Sequence, residues 1–171
     1  MPNRAEYNLY TQINIETEHE LPEQRIQEAV EWVLRRHDVP AGTGMSIVTV
    51  TDEEMRRLNR QYRAVDAPTD VLSFSADLES PPDGEAPYLG DLVLALPYIQ
   101  RQAEAEKHEV DDELILAVVH GTLHLLGYDH DTPEHQSAMW AVQAEALEAL
   151  GIDIVVPLFE FDDGGRDPEA D

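Results

Sequence analysis

The chain has no cysteine, so disulfides and thiolate-held metals are both excluded, and His, Asp and Glu remain as its strong metal ligands. Lysine is nearly absent too. Of 11 basic residues all but Lys107 are arginine, and they face 36 acidic residues, for a net charge of −25. Such a charge repels nucleic acid at long range, so composition alone speaks against an RNA partner. What decides the matter is where the few cations sit. An acid-rich, lysine-poor surface also suits a salty cytoplasm, where the Debye length shrinks to about 3 Å at 1 M. No apolar run reaches the roughly 18 residues needed to span a membrane. The N-terminus, Met1 to Glu6, lacks the apolar stretch of a secretory signal, and a cytoplasmic location is expected.

At 171 residues the chain is one domain's worth, long enough to bury a substantial core. Strands are expected at 7–14, 45–50, 70–74 and 89–94, where β-formers alternate or run together. Pro22 opens a helix to about His37, with Ile26, Val30, Val33 and Leu34 on one face and Trp32 beside them. The Thr51-Asp52-Glu53-Glu54 capping box starts a helix to about Tyr62, and Pro97 starts another to about His108. A further helix begins near Asp111, and Thr132-Pro133 caps a last one through Leu150. Strands early and helices late predict an α+β single domain, about four strands packed against helices, over residues 1–160. The polar loop 80–87 reads as mobile, and the acidic tail 161–171 as disordered.

The richest segment is His120-Gly121-Thr122-Leu123-His124-Leu125-Leu126-Gly127-Tyr128-Asp129-His130. It holds three of the seven histidines. Two imidazoles one helical turn apart point the same way and can grip one ion, and a third returns from beyond the helix end. The preceding run, Glu113 to Val119, is apolar nearly all round and marks a buried helix, where imidazoles need partners. Gly127 stands where a left-handed cap would turn the chain back. His120, His124 and His130 are therefore candidate ligands of a catalytic metal, with zinc preferred and one coordination position left over. Asp129 either orients a ligand imidazole or belongs to the turn. His108 and His135 are expected at the surface, and His19 and His37 uninvolved.

The segment matches the zinc-metalloprotease pattern H-E-x-x-H-x-x-G-x-x-H at every letter but one. Gly121 stands where the protease has its glutamate base, so peptide hydrolysis would lack its built-in proton acceptor. A phosphodiester can instead be cleaved by a metal with a cation to stabilise the transition state, which directs attention to the arginines. Arg56, Arg57, Arg60 and Arg63 crowd eight positions, and Arg56, Arg60 and Arg63 form one helical stripe. Asp52 and Glu53, four residues before Arg56 and Arg57, would pair with those two. Arg60 and Arg63 have no acid at that spacing, and phosphate contact by at least one of them is expected. Thr69-Asp70 and Gly90-Asp91 are weak signals, readable as turn formers.

Taken together, Leu58-Asn59, Tyr62-Arg63, Pro68 to Phe74, Leu89 to Val93 and His120 to His130 resemble the YbeY family of endoribonucleases, also described as rRNA maturation factors. The resemblance covers roughly residues 45 to 150. It departs at Ser75, where proline is usual, and in the chain's acidity. It implies an α+β fold around a mixed sheet and a zinc-dependent nuclease specific for single-stranded RNA. The implied role is in ribosomal RNA processing, especially the small-subunit 3′ end, and in ribosome quality control. By motif match, His120, His124 and His130 carry over as zinc ligands and Arg63 as the arginine needed for activity. Small ribosomal subunits and a GTPase assembly factor are the implied partners. Two other readings compete: a zinc hydrolase of another class, and a non-catalytic assembly factor with structural zinc. Replacing Arg63 is the change that separates them.

Overall fold

The structure is a computed structural model and describes residues 7–14, 19–76 and 87–156. Its elements run β1 (Asn8–Ile13), α1 (Glu23–Arg36), β2 (Gly44–Val50), α2 (Asp52–Arg63), β3 (Val71–Ser75), β4 (Tyr88–Ala95), α3 (Leu96–Glu106), α4 (Val110–Leu125) and α5 (Pro133–Ala149). Every expected element is present, with ends displaced by a residue or two. The loop 80–87, bar Pro87, and the tail 161–171 lie outside the described residues. No helix among the described residues is long and apolar enough to cross a membrane.

The four strands form one mixed sheet in the order β1-β2-β4-β3. β1, β2 and β4 run parallel, and β3 pairs antiparallel with β4. Because side chains alternate along a strand, the two faces carry different cores. One face presents Met45, Ile47, Val71, Leu92 and Leu94 to the main core, shared with α1, α3, α4 and α5. The other presents Val50, Leu72 and Val93 to Met55 of α2.

Both expected N-caps form. The Thr51 hydroxyl accepts the Glu54 amide at 3.1 Å, and the Thr132 hydroxyl accepts the His135 amide at 3.1 Å. The Glu54 carboxylate, however, grips Arg57 at 2.6 and 2.9 Å, so this capping-box acid serves an ion pair. At the start of α4, Asp112 takes Arg25 of α1 at 2.6 Å and Asp111 takes His19 at 2.8 Å. Asp112 thus ties α4 to α1 and Asp111 ties it to the segment before α1, as well as suiting a helix N-terminus.

α4 is the spine, buried along Leu114, Ile115, Val118, Val119 and Leu123. Gly121 allows its approach to the sheet. A Cβ there would lie 2.8 Å from Leu92 Cδ2, 3.1 Å from Val71 Cγ2 and 3.2 Å from Ser73 Oγ. Gly121→Ala should therefore lose about 1–3 kcal/mol by overpacking. A urea midpoint equal to that of the unaltered protein would mean that the interface has slack.

His108 is not a simple surface residue. Its Nδ1 meets the buried Glu113 carboxylate at 2.5 Å, closing the α3–α4 junction. The hydrogen bond to Glu113 raises the His108 pKa above 6.5, while burial raises that of Glu113. A raised histidine contributes stability that is complete below its unfolded value, 6.5, and is lost as pH climbs through the folded value. His108→Gln should thus be most destabilising under mildly acidic conditions. A deficit in urea midpoint that stays constant from acidic to alkaline pH would disprove the pairing.

Candidate metal centre

His120 and His124 occupy one face of the last turns of α4, and their Nε2 atoms stand 3.1 Å apart. His130 comes back from the following turn and is buried, its ring centroid 5.6 Å from that of His120 and 5.2 Å from that of His124. One donor atom from each falls within 4.8 Å of the others.

The hydrogen bonds on the far sides of these rings select their neutral tautomers. His120 Nδ1 lies 3.0 Å from Gln143 Oε1 of α5, and His124 Nδ1 lies 2.8 Å from the Tyr128 carbonyl. Both partners are acceptors, so both rings carry their hydrogen on Nδ1 and turn Nε2 lone pairs toward each other. With both rings neutral, neither Nε2 has a hydrogen to offer the other, and two lone pairs at that distance repel. A shared cation removes the conflict. The separation is near the roughly 3.3 Å edge of a tetrahedron with 2.0–2.1 Å bonds. His130 supplies a second sign: its Nε2 is buried with no hydrogen-bond partner among the described residues. Such a nitrogen is costly unless something binds it. Three neutral imidazoles with these orientations fit a metal ion.

The chain reversal that delivers His130 follows from Gly127, whose φ of 100° is left-handed. Gly127 N–H returns to the His124 carbonyl at 3.0 Å and Tyr128 N–H to that of Leu123 at 3.0 Å, a Schellman closure. This closure sets the Tyr128 carbonyl over His124. Asp129 belongs to the turn: its Oδ1 accepts the His130 amide at 2.7 Å and leaves the rings alone. His37 corrects the expectation that it is uninvolved. Its Nδ1–H donates to Val33 O at 2.7 Å, so its Nε2 accepts the Tyr128 hydroxyl at 2.9 Å. The histidine at the end of α1 thereby anchors the ligand loop. Trp140 stands edge-on to His120 and His130, with centroids 5.8 and 5.7 Å away, as an apolar outer wall.

Arg63 lies exposed in the last turn of α2. Its Nη2 donates to Ser73 O at 3.0 Å, and its guanidinium sits 5.9 Å over the Phe74 ring. Ser73 Oγ in turn donates to Gly121 O at 3.0 Å, so one β3 residue couples Arg63 to the histidine helix. The other α2 arginines are paired differently from the sequence expectation. Arg56 forks onto Asp66 at 2.8 and 3.0 Å, Arg57 takes Glu54, and Asp52 takes Arg101. Asp66 also lies 3.8 Å from Arg60. The acid for Arg60 stands six positions ahead, past the helix end, where spacing along the helix does not look.

Three contributors escape sequence reasoning. Gln143 is buried beside Met139, Val142 and Ala146, and an amide among apolar residues was the available signal. Asp70, readable as a turn former, accepts the Val71 amide at 2.8 Å. Burial pushes its carboxyl up, against the opposing pull of His120. His37 has no local mark at all. A second trio, Glu106, His108 and Glu113, also brings donors together. There the imidazole and carboxylate, 2.5 Å apart, are closer than two ligands of one ion and share a proton instead.

The family model described as Endoribonuclease YbeY matches residues 10–151. Curated proteins carrying that same description are similar to the chain. One from Roseiflexus is 44% identical and one from Chloroflexus aggregans 42%, each over 74% of this chain, covering 82% and 86% of their own length. One from Bacillus cytotoxicus is 41% identical over 74% of this chain and 85% of its own. A protein of Thermotoga maritima, solved in solution, shares the fold with a TM-score of 0.56 at 23% identity, covering 83% of this chain and 88% of that one.

The loop anchor yields a test. His37→Ala leaves the three ligands in place but frees Tyr128, and metal affinity should fall about tenfold. Calorimetric titration of the metal-free protein with zinc reads this directly; equal affinity would show that the turn holds itself.

Proposed function

The chain belongs to the YbeY family of endoribonucleases, and on that premise we propose that its three histidines hold zinc at a site cutting single-stranded ribosomal RNA. The reading extends to maturation of the small-subunit RNA 3′ end and to ribosome quality control, in the cytoplasm. Small ribosomal subunits and a GTPase assembly factor are the partners it includes. Family membership supports that biological part. The chemistry is supported by one observation above the others, the close approach of the His120 and His124 Nε2 atoms while both Nδ1 atoms face acceptor oxygens.

Zinc, when bound, would supply Lewis acidity toward the phosphate. The chain's own residues do the remainder. Gln143 and the Tyr128 carbonyl keep both Nδ1 hydrogens turned outward, so the donors stay neutral and aimed inward. Trp140 keeps bulk water from one side of the cluster. Arg63 is assigned to the phosphoryl oxygens, whose growing negative charge a planar guanidinium meets better than an ammonium. Its hold on Ser73 restricts where that charge can be met. The close packing around Gly121 argues against a protease. Position 121 faces Leu92 and Val71, so a glutamate there would enter the core, not the metal site.

Arg63→Ala tests the assignment. Zinc content should stay near one ion per chain, while cleavage of single-stranded RNA falls on the order of a hundredfold or more. Undiminished cleavage would remove Arg63 from the mechanism, and cleavage that survives chelation would remove the metal.

A further inference from the structure

The sheet face opposite α4 is only partly covered. Met55 and Leu58 of α2 pack on Val48, Val50, Leu72 and Val93. Beyond them, toward the start of β2, no helix among the described residues packs on the face. Pairing across the four strands aligns Phe74 with Asp91, Asp91 with Ser46, and Ser46 with Tyr10, so all four side chains share this side. The register shift between Gly44 and Ser46 turns Tyr88 to the same side. Its hydroxyl is bound to Ser46 and Asp91, so the ring extends along the sheet. Gly44 lies beneath. A Cβ there would already be 3.4 Å from the Tyr88 ring and 3.5 Å from the Tyr10 ring.

Tyr10 is 59% exposed, Tyr88 40% and Tyr62 54%, and these are the exposed aromatics among the described residues. All three stand on this face. Tyr62 meets Phe74 edge-on at 5.1 Å, and Arg63 lies over the same Phe74. An aromatic row therefore starts at the proposed phosphate-binding arginine and crosses three strand spacings, about 14 Å, to the β1 edge. Of these rings Tyr88 is fixed by hydrogen bonds and Phe74 is packed against Tyr62, and aromatic side chains on an exposed sheet are how proteins stack unpaired bases, about two or three at a time. Net charge favours the same occupant chemistry. A chain at −25 with most of its α2 arginines paired to acids gains little from phosphates, while stacking on π-faces needs no charge.

We propose that Tyr10, Tyr88 and Phe74 form a stacking platform for unpaired bases of RNA whose backbone passes Arg63. The inference rests on the proposed RNA substrate and adds a place where the strand is gripped away from the metal. It makes single-strand preference a property of the sheet, because bases inside a duplex have no exposed faces to offer.

The test uses the full chain with metal removed by chelator, so that RNA is bound but not cut. Anisotropy of a labelled single-stranded RNA dodecamer gives the dissociation constant over a series of potassium chloride concentrations. The double variant Tyr10→Ala, Tyr88→Ala should bind about tenfold more weakly or worse. Tyr10→Phe with Tyr88→Phe should restore most of the affinity. The slope of affinity against salt should stay that of the unaltered protein, since no phosphate contact is lost. The platform is wrong if the alanine variant, folded by its urea midpoint, binds as tightly as the original, or if the original protein does not bind the dodecamer. It is equally wrong if the substitutions change only the mass in solution, which would make this face a contact between copies of the chain. Cleavage by the Arg63→Ala variant judges the proposed function separately, so either idea can fail alone.

Discussion

How closely α4 rests on the sheet governs nearly everything else in this protein. With a single hydrogen at position 121, the helix backbone comes down onto β3 and β4, and Ser73 reaches the Gly121 carbonyl. That contact sets the height of His120 and His124 above the strands. It also ties them to the strand that holds Arg63. Cation and imidazoles thus share one backbone reference, although α2 and α4 cover opposite faces of the sheet. Rigid elements position charged groups better than loops do.

The second organising fact is the outward commitment of hydrogens. A side-chain amide from α5 and a main-chain carbonyl from the Schellman closure each claim one Nδ1–H. Tautomer choice is then made by the fold before any ion arrives. The His37–Tyr128 bond extends this to α1, so three helices contribute to ring orientation while only α4 and its turn contribute ligands.

Most of the architecture was legible in the sequence. The nine elements announce themselves through alternation, capping residues and a buried helix, because those signals are local. The clustering of the three histidines was legible for the same reason: His120, His124 and Gly127 obey helix geometry, and His130 follows the turn. What stayed hidden was contact across the fold. Nothing near His37 points to Tyr128, 91 residues away, and nothing near Gln143 points to His120. Ion pairing in α2 was misjudged because Asp66, beyond the helix, competes with the i−4 acids that helix spacing favours. His108 read as a surface residue because its partner Glu113 sits inside a run that otherwise reads as apolar.

The outer wall of the histidine cluster comes from α5, the last helix of the described chain. A ribosome releases a protein from its beginning to its end. His120, His124 and His130 therefore emerge before the segment that sets one of their tautomers and shields them. A nascent chain held just past residue 130 would own all three donors and still lack a finished cup. On the proposed reading, the donor trio gains its complete surroundings only after α5 has been made.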